Sequence, residues 1–195
     1  MPRKSRLPTA TEWAHHYLAT QLSTNAHLID ATAGNGHDAL FLSQFILPDG
    51  HLYLFDIQEV AIQTTRSLLL SNEIPASNTS LFQCSHTELK ERIPSNLHGA
   101  IDAVVFNLGY LPGQDKTLTT LSDSTLAALE SSLELLKPGG ILSVITYPGH
   151  ATGAEEALCV TNWMKSLPSS AFEVQRLQAL NRLAPPPELW IVKKS

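Results

Sequence analysis

Apolar positions along the chain fall into two alternating periods. Short runs with strand character occur at His27–Asp30, His51–Phe55, Thr79–Cys84, Ile101–Phe106 and Ile141–Thr146. Between them lie stretches whose apolar residues recur at helical spacing: 9–22, 37–46, 58–71, a short one at 86–92, 122–136 and 153–167. Trp13, Tyr17 and Leu18 lie near one face of the first helix, and the third carries Val60, Ile62, Leu68 and Leu69. Turns are expected at Pro48-Asp49-Gly50 and Pro138-Gly139-Gly140, and Asp123 is placed to cap the fifth helix. Ile101–Phe106 is the most apolar run and is expected at the centre of the sheet.

Strands alternating with helices of this length predict βαβ units and a parallel sheet. Two last strands, 172–180 and 189–193, have only the Pro-rich Ala184–Pro187 between them, so they are expected to pair antiparallel. The predicted fold class is therefore α/β and Rossmann-like. It has a mostly parallel central sheet of about seven strands, helices on both faces and an antiparallel C-terminal strand. One domain over residues 1–195 is expected, with 1–26 as an N-terminal helical extension.

Composition narrows the function. Apolar residues make up 43% and charged residues 16% of the 195 positions, which excludes a disordered chain. The net charge of −5 gives no overall basic surface for nucleic acid, although Arg3, Lys4 and Arg6 form a local cluster. Cys84 and Cys159 are the two cysteines, without C-x-x-C or Cys/His spacing, so neither a disulfide framework nor a metal site is expected. His15-His16 on the first helix also lack metal-ligand company. No apolar run is long enough to span a membrane, and no apolar segment follows the basic start. A cytoplasmic protein is expected.

The chemistry concentrates after the first strand, in Asp30-Ala31-Thr32-Ala33-Gly34-Asn35-Gly36-His37-Asp38. Glycines there let the backbone approach a ligand, and ligands of such folds bind at the carboxyl ends of the strands. Asp56 closes the second strand about 20 residues on, where a carboxylate accepts hydrogen bonds from ribose hydroxyls. Gly34-x-Gly36-x-x-Ala39 also matches a dinucleotide-binding pattern. Asp30 weighs against that, because a carboxylate at the mouth of the turn repels a pyrophosphate but attracts the cationic groups of S-adenosylmethionine. A nicotinamide-dependent oxidoreductase therefore stands as an alternative behind a methyltransferase.

A second constellation, Asn107-Leu108-Gly109-Tyr110-Leu111-Pro112-Gly113, follows the central strand and faces the same crevice. The carbonyl of Asn107 can accept a hydrogen bond from a substrate amine and orient its lone pair, and Tyr110 can stack on a planar base. Asp115 and Lys116 continue the loop, either as a solvated pair or lining the entrance. Tyr147-Pro148-Gly149-His150 reaches the same edge, with His150 or water as proton acceptor. Ser85-His86, after the third strand, is expected beside an adenine.

Together these segments resemble the class I S-adenosylmethionine-dependent methyltransferases, and within them the group known as rRNA methylases. The carrying motifs are D-A-T-A-G-N-G-H-D (30–38), F-D-I-Q (55–58), S-H (85–86), N-L-G-Y-L-P-G-Q-D-K (107–116) and Y-P-G-H (147–150). Gln114 stands where the group has a second Gly, and Ala184 where it has a second Asn before Pro-Pro.

The resemblance implies methyl transfer to the 5-aminomethyl nitrogen of 5-aminomethyl-2-thiouridine at wobble position 34 of tRNA. The anticodon region would be the partner, with a homodimer as the implied assembly; a small-molecule amine is the alternative substrate. The expected cofactor-binding residues are Asp30, Thr32, Gly34, Asn35, Gly36, Asp38, Asp56, Gln58, Ser85 and His86. Asn107, Tyr110 and His150 are the expected catalytic residues, and Gly109, Asp115, Lys116 and Tyr147 the expected substrate contacts.

Overall fold

The computed structural model describes residues 6–109, 122–149 and 151–195. Its sheet strands are β1 (His27–Asp30), β2 (His51–Asp56), β3 (Thr79–Gln83), β4 (Ile101–Leu108), β5 (Leu136–Thr146), β6 (Phe172–Gln178) and β7 (Glu188–Lys194). The helices are α1 (Ala10–Gln21), α2 (His37–Leu42), α3 (Glu59–Ser71), α4 (Leu89–Arg92), α5 (Ser122–Leu135) and α6 (Ala151–Ser166), joined by short 3-10 turns.

The seven strands form one sheet in the order β3-β2-β1-β4-β5-β7-β6. All neighbours are parallel except β7, which runs antiparallel to both β5 and β6. This is the expected fold class, with β4 in the middle. The chain steps outward from β1 to β3 and then returns to lay β4 against β1. The carboxyl ends of β1 and β4 therefore lie at the reversal of strand order, where such folds open a crevice.

Strand alternation sorts the core into two layers. Ala103 and Val105 of β4 pack with Ala14 and Leu18 of α1, Ala39 and Leu42 of α2, and Leu69 of α3. Ile101, Val104, Phe106 and Leu108 pack with Leu89 of α4, Leu129 of α5, and Val160 and Met164 of α6. Phe106 is 1% exposed, and burying such a side chain stabilises by about 1.5–3 kcal/mol. The same alternation puts Asn107, two residues beyond Val105, on the α1–α2 side of the sheet.

Three local expectations change. The Pro138-Gly139-Gly140 turn lies inside β5. The chain is already extended at Leu136, which pairs with Ile101, and the extra residues bulge before Ile141 pairs with Ala103. Helix 37–46 is α-helical only to Leu42 and tightens into a 3-10 turn at Ser43–Phe45. Asp123 is not a cap but stands in the first turn of α5. Helix α1 starts where Thr9 forms a capping box: its Oγ1 accepts the Glu12 N–H at 3.2 Å, and Glu12 Oε2 accepts the Thr9 N–H at 2.7 Å.

Candidate functional site

The Gly-rich turn is pinned between three strands. Ala31 N–H donates to the Val105 carbonyl and Ala33 N–H to the Phe55 carbonyl, both at 2.9 Å. Gly34 (φ 52°) and Gly36 (φ 80°) take left-handed conformations that other residues rarely adopt. At Gly36 a side chain would also strike α3, since a Cβ would lie 3.0 Å from the Thr65 backbone. The turn thus lies close over α3, and Thr65 Oγ1 donates to the Gly34 carbonyl at 3.2 Å.

Three carboxylates converge on this turn. Asp30 is fully buried; its Oδ1 accepts the Thr32 N–H at 3.1 Å, and its Oδ2 has no partner among the described residues. Burial holds the Asp30 carboxyl well above the usual carboxylate range. The charge of Asp38 adds to this, the Thr32 N–H opposes it, and Asp56 adds a smaller push. Asp56 accepts the Gly34 N–H at Oδ2 and the Gln58 N–H at Oδ1, both at 2.9 Å. Burial raises the Asp56 carboxyl too, against the backbone N–H groups of Gln58, Gly34 and Ile57. Asp38 begins α2 and is half-buried.

The remaining residues expected to bind cofactor follow the carboxyl ends of β1, β2 and β3. Asn35 is exposed on the turn, and Thr32 Oγ1 accepts the Asn107 N–H at 2.7 Å, tying β1 to β4. Gln58 is half-buried just before α3. Ser85 Oγ caps the turn after β3, accepting from the Thr87 N–H at 3.2 Å and the Thr87 hydroxyl at 2.9 Å. His86 turns inward, 6% exposed, with its ring edge-on to Phe106 at 5.8 Å and a hydrogen bond to the Ser124 backbone. Burial pushes its pKa down to about 4, so the ring is neutral, and its Nε2 has no partner among the described residues.

On the other side of the crevice, Asn107 is held by side chains. Its Nδ2 donates to Asp38 Oδ2 at 3.1 Å. The Tyr147 hydroxyl hydrogen-bonds the side chains of Asn107 and Thr11; burial first, then the charge of Asp38, raises its pKa. Gly109 lies against the Tyr147 ring, where a Cβ would come within 3.3 Å. The connection 184–187 borders the same edge, with the Pro185 carbonyl 3.5 Å from where a Cβ on Gly149 would stand. Tyr110, Gln114, Asp115, Lys116 and His150 lie outside the described residues.

Sequence reasoning missed what α1 contributes. His15 Nε2 meets Asp38 Oδ1 at 2.6 Å, and its ring stacks on Phe41 at 3.9 Å and 6°. Thr11 reaches Tyr147 from the same helix. The available signal was positional: Thr11 and His15 sit four residues apart, on the stripe that also buries Ala14 and Leu18.

The donor set fits a cationic, ribose-bearing cofactor. Asp30 keeps a buried oxygen unpartnered, and an anionic pyrophosphate would face Asp30, Asp38 and Asp56, beside which His15 is the basic side chain described in contact. This is the chemistry of S-adenosylmethionine rather than of a nicotinamide dinucleotide.

Comparison with known proteins agrees. The family model described as "Putative rRNA methylase" matches residues 52–193. A chloroplastic tRNA (mnm(5)s(2)U34)-methyltransferase of Arabidopsis thaliana is 38% identical over 194 residues, which is 95% of this chain and 69% of that protein. A crystal structure of a "putative rRNA-methylase" from Clostridium thermocellum superposes with a TM-score of 0.92 at 32% identity, over 98% of this chain and 100% of that one. A "putative methyltransferase" of Streptococcus mutans, solved in complex with SAH, gives a TM-score of 0.86 at 34% identity, over 97% of this chain and 100% of that one.

Proposed function

Since this chain belongs to the rRNA methylase family and is an S-adenosylmethionine-dependent methyltransferase, we propose that it methylates tRNA, converting 5-aminomethyl-2-thiouridine at wobble position 34 to 5-methylaminomethyl-2-thiouridine. The observation that carries this reading is the 38% identity, across 95% of the chain, to a relative named for that nucleoside.

When bound, S-adenosylmethionine supplies a methyl group made electrophilic by a positively charged sulfur. Asp30 offers its unpartnered Oδ2 to the cofactor's positive groups. Asp56 uses its backbone contacts to keep its carboxylate at the rim, with lone pairs left for ribose hydroxyls. Asn107 presents its carbonyl to an amine N–H, which aims the nitrogen lone pair and restricts the approach. Tyr147 and Gly109 wall the amine side. The amine reacts only when neutral, so the site has to receive it without its extra proton, which water accepts.

The experiment uses tRNA from a strain lacking this gene, incubated with purified protein and isotope-labelled S-adenosylmethionine, digested and resolved by mass spectrometry. Label in 5-methylaminomethyl-2-thiouridine is the expected result. No label in any nucleoside, with cofactor binding intact, transfers the substrate to a small amine. The net charge of −5 favours that second reading, because phosphate binding rests on Lys and Arg.

A further inference from the structure

We propose that Asp38 and His15 are positioning residues for Asn107: together they lock its side-chain amide in the orientation that presents the carbonyl oxygen to the substrate. The inference rests on the role given to Asn107 above. An Asn amide can rotate by half a turn, exchanging its carbonyl and its NH2 in nearly the same volume. One orientation offers an amine an acceptor; the other offers it a repelling donor.

The carboxylate of Asp38 breaks that symmetry. It offers acceptors only, so it takes the Asn107 NH2 at Oδ2, 3.1 Å away, and would repel the carbonyl. Asp38 is itself fixed through its other oxygen, 2.6 Å from His15 Nε2, which carries the proton of that bond. His15 in turn is clamped flat on Phe41, in a helix whose first turn is capped by Thr9 and Glu12. Tyr147, itself bonded to Thr11, engages the same Asn107 side chain from the end of β5. Helices α1 and α2 thereby set the orientation of a group on β4. His15 has a second candidate role, as packing alone, because its ring is in face-to-face contact with Phe41.

Two substitutions separate the roles. His15→Phe keeps the stack and removes the donor; His15→Gln keeps a donor and removes the stack. If the lock operates, His15→Phe lowers kcat about 10-fold, the scale of one charge-assisted hydrogen bond, with KM and S-adenosylhomocysteine affinity nearly unchanged, and Asp38→Ala lowers kcat at least as far. His15→Gln stays within about 3-fold of wild type, since a neutral donor recovers most of that bond. His15→Phe equal to wild type, or more active than His15→Gln, would overturn the proposal and leave His15 a packing residue.

A second readout needs no substrate. The Asn107 side-chain NH2 signals in a nitrogen-15 spectrum, identified by their loss in Asn107→Ala, are expected to shift in His15→Phe and Asp38→Ala and to hold in His15→Gln. Unmoved signals in Asp38→Ala refute the lock. A wild-type enzyme that fails to methylate tRNA refutes the substrate assignment alone, because the spectrum still reports the lock.

Discussion

The two sides of the crevice are built by different means. On the cofactor side, carboxylates grip backbone: Asp30 holds the Thr32 N–H, and Asp56 holds the Gly34 and Gln58 N–H groups. On the side proposed for the amine, side chains grip side chains: Asp38 joins His15 to Asn107, and Tyr147 joins Asn107 to Thr11. Backbone contacts set the shape of a turn and tolerate little variation. Side-chain contacts set the direction of one group and can be retuned one residue at a time. A common cofactor with a variable acceptor asks for that division.

The sharpest test of the comparison is a double dissociation. Asn107→Ala is expected to lower turnover by about 100-fold or more, as loss of a group that orients the nucleophile does, while cofactor affinity survives. Asp56→Ala is expected to weaken S-adenosylhomocysteine binding about 10-fold or more, through lost ribose contacts and a released Gly34, with less effect on saturated turnover. Calorimetry and single-turnover kinetics on both variants decide it. If both mutations damaged both quantities alike, the crevice would act as one unit and the division would fail.

The same contrast explains what was legible in the sequence. The carboxylate partners of Thr32 and Gln58 lie two residues away in the chain, and the Gly34–Asp56 contact spans 22 residues, from the turn after β1 through α2 to the end of β2. Motif spacing encodes such contacts directly. The His15–Asp38 and Asn107–Asp38 bonds span 23 and 69 residues and depend on how α1 and β4 settle against α2. His15 therefore read as a helix histidine without company. Asp38 read as one more residue of the Gly-rich turn, and its hydrogen bonds to His15 and Asn107 were not legible. The topology was legible because period-2 and period-3.6 patterns alternate cleanly. The β5 bulge was not, because Pro138-Gly139-Gly140 looks the same in a turn and in a bulge, and pairing of Leu136 with Ile101 decides between them.

A second prediction sets binding against stability at Asp30. Its raised pKa means that the folded state holds the proton more tightly than the unfolded chain. The free protein therefore loses stability as pH rises from the ordinary carboxylate range towards the raised value. Asp30→Asn removes the ionisation and keeps an acceptor for the Thr32 N–H. Its melting temperature is expected to gain on wild type as pH rises from about 5 to about 8, by about 2–4 °C for each kcal/mol recovered. The stabilisation by S-adenosylhomocysteine should shrink at the same time. A melting difference that stays flat with pH would mean that Asp30 carries no ionisation penalty.

The smallest expected effect tests whether the cofactor side is rigid beneath its rim. His86 is buried against Phe106 under α5, with its pKa pushed down to about 4 by that burial. A base whose folded pKa is lowered binds protons more weakly in the folded state, so the stability it contributes is present above the unfolded value near 6.5 and drains away as pH falls towards 4. Between pH 7 and pH 6 the loss is only about 0.7 kcal/mol. It should vanish in His86→Gln, measured as the pH slope of urea unfolding. Proton resonances of the His86 ring should report a neutral imidazole down to about pH 5. A ring that titrated near 6.5 would have to reach water in the native state. The turn after β3 would then open on its own, and the cofactor side would share the adaptability assigned above to the amine side alone.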